Sequence, residues 1–373
     1  MNEREAYIAL NMTGKIGPVG VRALREALGS VAAIFETGPA DWTRAAGIGR
    51  ETAAALAAAR DRLDWQAEME RAEREGVRLL TPVDPDYPAP LKAIHDPPLA
   101  LYTRGAPLAR DRQALALVGT RRPSHYGREC AKRFAGRLAA AGYTIVSGLA
   151  EGIDTCAHEG AIEARGRTWA VLGGALDCLY PPSNRGLAQR IETQGAVFSE
   201  FPFGRQPDRT TFPMRNRIVS GMSMGVIVIE AGLKSGALIT AREALEQGRP
   251  VMAVPGRIDS PASRGAHELI KQGARLVESV EDILAEFEFL FPPSAQAREA
   301  VRPPRLSLSE DEQRVLAALD AGAEDVDALI RATKLDVGAM SALLIGLEMK
   351  RLVKMLPGRR VERTGEWTGS GEQ

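Results

Sequence analysis

The sequence predicts an α/β fold: a central doubly wound, Rossmann-like parallel sheet, preceded by a helical domain and followed by a winged-helix domain. Three observations carry this prediction. Between about residues 113 and 277, apolar runs of strand length alternate with stretches of helical periodicity. Those runs are apolar at consecutive rather than alternate positions, as in parallel strands buried on both faces. Proline-rich segments then bound the region on both sides, which suits a chain of 373 residues, long enough for two or three domains.

Composition narrows the function classes. Lys plus Arg equals Asp plus Glu at 48 each, so any contact with a polyanion must rest on a local patch and not on the whole field. The three cysteines, Cys130, Cys156 and Cys178, form no CxxC pair and no zinc spacing, which points to a reducing compartment. Neither a signal pattern nor an apolar run of membrane-spanning length is present in the sequence, and a cytoplasmic protein without membrane contact is expected.

Residues 1–75 are expected to form short helices. Ile16-Gly-Pro-Val-Gly20 precedes the amphipathic Val21–Leu28, and Ala46-Gly-Ile-Gly-Arg50 precedes an alanine-rich helix. Gly-rich turns entering helices are the core of a helix-hairpin-helix, whose amides can approach a phosphate backbone. With only Lys15, Arg22 and Arg50 nearby, tight turns in a packing domain are the preferred reading. From residue 76 to about 112 the prolines of Thr81-Pro-Val-Asp-Pro-Asp-Tyr-Pro88 and His95-Asp-Pro-Pro98 forbid long helices, leaving Leu99–Tyr102 as a candidate edge strand.

The central domain, 76–290, carries seven strand runs: Leu115–Val118, Thr144–Val146, Trp169–Leu172, Ala196–Phe198, Val226–Ile229, Val251–Val254 and Arg275–Val277. Helices are expected at Tyr126–Ala141, Asn184–Gln194, Arg215–Ser220, Leu238–Gln247 and His267–Gln272. A polar, proline-containing linker follows at 291–308. Ser309 and Glu312 form a capping box opening the first of three helices, and a hairpin turning at Pro357-Gly358 completes a winged-helix-like domain at 309–363. Its bases, five, are outnumbered by nine acids between Ser309 and Arg351, and its third helix lacks the Arg, Asn or Gln of a base-reading helix. Protein contact is the expected use of this domain, with minor nucleic-acid backbone contact left open to Arg359 and Arg360 on the hairpin. Residues 364–373 are expected to be a disordered tail.

One stretch gathers phosphate-binding chemistry. Thr210–Ser220 carries Arg215 and Arg217 on either side of Asn216, Arg205 and Arg209 lie just upstream, and Phe212 stands between the two pairs. Guanidiniums bind phosphate bidentately and a phenyl ring offers a face to a base, although a solvated helix face with a core phenylalanine has the same composition. In a doubly wound sheet, ligands bind beyond the carboxyl ends of the strands. Four glycine-bearing loops emerge there: Gly119-Thr-Arg-Arg122, Ser147-Gly148, Gly173-Gly174, and Glu230-Ala-Gly continuing through Lys234-Ser-Gly236 to Thr240. None matches the dinucleotide fingerprint or a Walker A loop, which argues against a dehydrogenase or a P-loop ATPase. No cofactor and no metal is expected. Asp154 and His158, four apart, are expected to share a buried hydrogen bond, and Glu230 to pair with a nearby arginine.

These segments closely resemble the DNA-processing protein DprA (Smf) family. The matching stretches are Val118–Arg121, Ser147–Asp154, His158–Ala161, Tyr180–Asn184, Phe212–Gly221, Glu230-Ala, Ser235–Ala241 and Val254–Gly256, in order. Ala175, and Arg264-Gly-Ala-His267, depart from the family's usual residues. The resemblance implies a non-enzymatic protein with a SAM-like N-terminal domain that binds and shields single-stranded DNA, helps load the RecA recombinase during natural transformation, and dimerises through its Rossmann-like domain. By the same resemblance the DNA pocket would comprise Gly119, Thr120, Arg121, Ser147, Gly148, Arg209, Phe212, Arg215, Asn216, Arg217, Ser235, Gly236 and Thr240. Arg121, Arg209, Arg215 and Arg217 would take successive phosphates and Phe212 would stack on a base. The alternative is a nucleotide phosphoribohydrolase of the LOG type using the same loops with Glu230 as its acid–base group, whose Pro-Gly-Gly-x-Gly-Thr loop is absent here.

Overall fold

Central strands whose successive side chains enter two opposite buried cores build the architecture. In a computed structural model that describes residues 1–45, 47–287, 308–322, 325–350, 352–356 and 358–363, the chain divides into two compact units, Met1–Val301 and Arg302–Gln373.

The first unit opens with helices α1 (Glu3–Thr13), α2 (Pro18–Leu28), α3 (Ala33–Glu36), α4 (Pro39–Trp42), α5 (Arg50–Arg60) and α6 (Trp65–Arg74). Gly17 and Gly49 stand at the N-caps of α2 and α5, so the two glycine turns do enter helices. The expected boundary at 75/76 falls between α6 and the first strand, yet residues on both sides share one unit. Ile8 and Ala72 pack in a cluster with Tyr102, Leu172 and Val197 of the sheet region.

The proline-rich connector is more structured than its composition suggests. It forms β1 (Arg78–Leu80), a short helix α7 (Ala89–Lys92) and β2 (Leu101–Gly105). The strand expected at the edge is therefore internal: β2 lies between β1 and β6 (Ala196–Ser199), antiparallel to both. Prolines fall between these strands, where no ladder hydrogen bond is lost.

The seven apolar runs become β3 (Ala114–Val118), β4 (Thr144–Ser147), β5 (Thr168–Val171), β6, β7 (Val226–Val228), β8 (Val251–Ala253) and β9 (Arg275–Leu276), all parallel to one another. The sheet order is β1-β2-β6-β5-β4-β3-β7-β8-β9. Ala114, Ala116 and Val118 join one core cluster, under α11 (Thr211–Gly221), α12 (Ala237–Glu246) and α13 (Arg264–Lys271). Leu115 and Leu117, one residue out of phase, join the opposite cluster beneath α8 (His125–Ala140), α9 (Ile153–Glu163) and α14 (Val280–Phe287), while α10 (Arg185–Gln194) contributes Leu187, Ala188 and Ile191 to a third. Helices on both faces make the sheet doubly wound. The expected helix at Arg215 begins four residues earlier, at Thr211, because Pro213 sits in the first turn, where a missing N–H loses no intrahelical bond.

The second unit holds α15 (Glu310–Asp320), α16 (Val326–Thr333), α17 (Val337–Met349) and the antiparallel hairpin β10 (Val353–Leu356) and β11 (Arg360–Arg363). Glu312 accepts the Ser309 N–H at 2.9 Å and donates its own N–H to the Ser309 hydroxyl at 3.2 Å, completing the capping box. Val315, Leu316, Leu329, Leu344 and Val361 form its core. Apart from Leu308, the linker expected at 291–308 lies outside the described residues, as does the tail at 364–373.

Candidate functional site

The chain runs from β3 outward through β4, β5 and β6, then returns to β7 on the other side of β3. The loops leaving β3 and β7 therefore diverge, and a crevice opens between them at the carboxyl ends of the strands. A cavity of about 570 Å³ occupies this point.

Four segments build it. The first is Gly119–Arg122, anchored where Thr120 donates its N–H to the Glu230 carbonyl at 2.7 Å. Gly119 is required there, since a Cβ would stand 2.5 Å from the Ile153 side chain and 2.8 Å from the Glu230 carbonyl oxygen. The second is the turn after β4, with Gly148 and Ala150. The third is Arg209 and the first two turns of α11. The fourth is Lys234–Gly236 leading into α12, with Thr240.

The entry to α11 is fixed by Asp208. Its carboxylate accepts the N–H groups of Thr210 and Thr211 at 2.7 and 3.0 Å and the Thr210 hydroxyl at 2.6 Å. Those hydrogen bonds, led by the Thr210 hydroxyl, hold its pKa well below the usual carboxylate range. Phe212 is thereby presented at the cavity wall, with the Arg121 guanidinium 5.0 Å from its ring centroid and Tyr180 6.2 Å away at a tilt of 55°. Cation and ring attract at this separation.

Arg215 forms the cavity floor. It is buried, its guanidinium donates to the carbonyls of Gly148 and Val171, and its Nε reaches the Asn216 amide oxygen at 3.3 Å. A Cβ on Gly148 would fall 2.2 Å from this guanidinium, so only glycine fits above it. Burial lowers the Arg215 pKa and raises that of Asp154, each opposed by the other's charge. Arg215 thus ties the ends of β4 and β5 together and lends its charge to the cavity from below.

Eleven of the thirteen sequence-predicted residues line this cavity: Gly119, Thr120, Arg121, Gly148, Arg209, Phe212, Arg215, Asn216, Ser235, Gly236 and Thr240. Two do not. The Ser147 hydroxyl is fully buried and donates to the Leu117 carbonyl at 2.6 Å, serving the sheet. Arg217 lies on the other side of α11, where it meets Glu200 at 2.9 and 2.7 Å and Asp96 at 2.8 Å and also bonds the Met214 carbonyl. Residues two apart on a helix do not face the same way, so Arg215 and Arg217 cannot serve one wall. That spacing was visible in the sequence. Arg122 and Lys234 were missed as site residues, though each adjoins one that was chosen, and both line the cavity as exposed cations. Among the described residues, none of Arg121, Arg122, Arg209 and Lys234 enters an ion pair.

Two further expectations are corrected. Asp154 and His158 share no hydrogen bond. Asp154 accepts the Gly148 and Ala150 N–H groups at 3.1 and 3.4 Å, whereas His158 Nδ1 meets the Thr168 hydroxyl at 2.7 Å. The Thr168 hydroxyl spends its proton on the Ile145 carbonyl, so His158 carries its own proton on Nδ1 and leaves Nε2 as a buried acceptor without a partner among the described residues. Burial, with the Arg215 charge, pushes the His158 pKa down to about 3. Among the described residues Glu230 pairs with no arginine; its carboxylate accepts the Ser124 N–H at 2.8 Å at the start of α8, where the helix dipole favours an anion. Among the described residues no cluster of three metal-ligating side chains occurs, and no helix is long and apolar enough to cross a membrane.

Comparison with known proteins follows the same division of the chain. Residues 78–288 match the family model for DNA recombination-mediator protein A, and residues 298–359 match that for the DprA winged helix domain. Protein Smf of Synechocystis is 33% identical over 97% of this chain and 99% of its own. The X-ray structure of DNA processing protein A from Streptococcus pneumoniae aligns with a TM-score of 0.68 at 36% identity, covering 78% of this chain and 99% of that one. DNA processing protein A from Helicobacter pylori, whose structure is described for its single-stranded DNA binding mode, aligns with a TM-score of 0.52 at 31% identity over 57% of this chain and 97% of that one.

Proposed function

The chain belongs to the DNA recombination-mediator protein A (DprA/Smf) family, and on that premise we propose that its switch-point cavity holds single-stranded DNA without sequence preference. The observation that carries this reading is the set of four cations without an ion pair among the described residues, Arg121, Arg122, Arg209 and Lys234, around an aromatic wall at Phe212. Phosphates of one strand meet the cations, and a base lies against Phe212 in place of, or beside, the Arg121 guanidinium. Arg215 supplies charge from the floor without contacting a phosphate through the donors it spends on Gly148 and Val171. A single strand suits this site because its bases are free to stack, whereas a duplex hides them.

Within a cell this binding would protect incoming DNA and present it to the RecA recombinase, with two copies joined through the Rossmann-like domain in the cytoplasm. Two linked sites raise avidity on one strand without new contacts, which a protein of zero net charge needs. No bond is made or broken in this account. The hydrolase alternative lacks support at its proposed base, since Glu230 is engaged at the start of α8 and does not line the cavity. Release of free base from AMP by the purified protein, lost in Glu230→Gln, would favour that alternative. The direct test of the binding reading is a salt titration of single- against double-stranded oligonucleotide binding.

A further inference from the structure

A second groove of about 480 Å³ lies on the far side of α11, between that helix and the turn joining α1 to α2. The two cavities share the helix as a common wall. Pro213 and Asn216 line the switch-point cavity, while Met214 lines the second groove and is 48% exposed. The loop that enters α11 also spans both: Arg209 lines the first and Arg205 the second.

The charge of the second groove is positive where it is accessible. Lys15, in the α1–α2 turn, is exposed and has no ion pair among the described residues. Among the described residues Arg205 is paired only with Asp208, at 2.6 Å, where both side chains are about two-fifths accessible. Exposed pairs of this kind contribute little and exchange readily for a phosphate. The acid in the groove, Glu200, is buried and neutralised by the two-pronged contact from Arg217. Two available cations therefore line the groove together with the apolar Phe201 and Leu99.

We propose that this groove is a second binding segment for the same nucleic-acid strand, which crosses α11 at Pro213–Met214 and places further phosphates on Arg205 and Lys15. The proposal rests on the reading of the switch-point cavity as a single-stranded DNA site. It gives the glycine turn of the N-terminal helices a use that its sparse basic residues did not suggest.

The test is a length series of single-stranded oligothymidylates, from about 4 to about 16 nucleotides, titrated against the full chain, the Lys15→Ala/Arg205→Ala double variant and Arg121→Ala. The expected result is unchanged binding of the shortest oligonucleotides by the double variant. For the longest, affinity weakens and the log–log salt slope becomes shallower by about 1.4, two phosphates at about 0.7 each. If the double variant matches the parent at every length while Arg121→Ala weakens binding, the second segment is wrong and the first site stands. A loss equal at all lengths, the shortest included, also overturns the second segment. If Arg121→Ala has no effect at any length, both readings fail. All three side chains are exposed, so the fold is expected to survive each change.

Discussion

Arg217 and Glu200 hold each other through two parallel hydrogen bonds, 2.9 and 2.7 Å long, with both side chains only 8% exposed. The pair joins α11 to the segment following β6, and Asp96 closes the other edge of the guanidinium. Burial lowers the Arg217 pKa, but the two carboxylates outweigh it and the net shift is upward. Arg217 thus serves the fold that presents the site.

Its removal should therefore read as a stability defect. Arg217→Ala leaves the Glu200 carboxylate buried without a partner, and a loss of about 3–5 kcal/mol in denaturant unfolding is expected. Arg217→Lys recovers little of it, because an ammonium cannot make the planar fork. Arg121→Ala should stay within about 0.5 kcal/mol of the parent, as an exposed side chain does. Equal stabilities for the two alanine variants would contradict this division of roles.

Phe212 is expected to act through its ring face. Phe212→Ala should lose about 1–3 kcal/mol of single-stranded oligonucleotide affinity, and Phe212→Trp should retain most of it. Equilibrium binding by fluorescence anisotropy decides the matter. An alanine variant with parental affinity would remove stacking from the account.

His158 should sensitise the fold to acid. Its folded pKa, near 3, lies below the ordinary 6.5, so the unfolded chain binds the extra proton across that window. The stability that the neutral imidazole contributes is complete above pH 6.5 and is lost as pH falls toward 3, on the order of 1 kcal/mol being gone by pH 5.5. Urea unfolding of the parent and of His158→Gln, compared from pH 7.5 to 5.5, should give a steeper acid decline for the parent. Parallel curves would mean that His158 does not titrate in this way.

The sheet was legible because strands buried on both faces leave unbroken apolar runs, as Leu115–Val118 and Val226–Ile229 do. Strands β1 and β2 were less so, since the prolines around them mark where helices cannot form without saying what pairs. The site was legible as residue types and only partly as directions. Gly119, Arg121, Phe212 and Ser235 are small, cationic, aromatic and hydroxylic in the loops where such types belong. That Ser147 turns its hydroxyl to the Leu117 carbonyl depends on the register of β4 against β3, which no local pattern encodes. The partner of Glu230 was hidden for the same reason: Ser124 lies 106 residues away and offers a backbone N–H, which carries no sequence signature.

The central claim is that Arg121 and its neighbours neutralise phosphates of a single strand at the switch point. The most direct measurement is the salt dependence of single-stranded oligonucleotide binding for the parent and for Arg121→Ala. Tighter binding of single strands than of duplex is expected, with log affinity falling linearly with log salt. In Arg121→Ala the binding should be weaker and the slope shallower by about 0.7, the loss of one phosphate contact. A parental affinity and slope in Arg121→Ala would contradict the account.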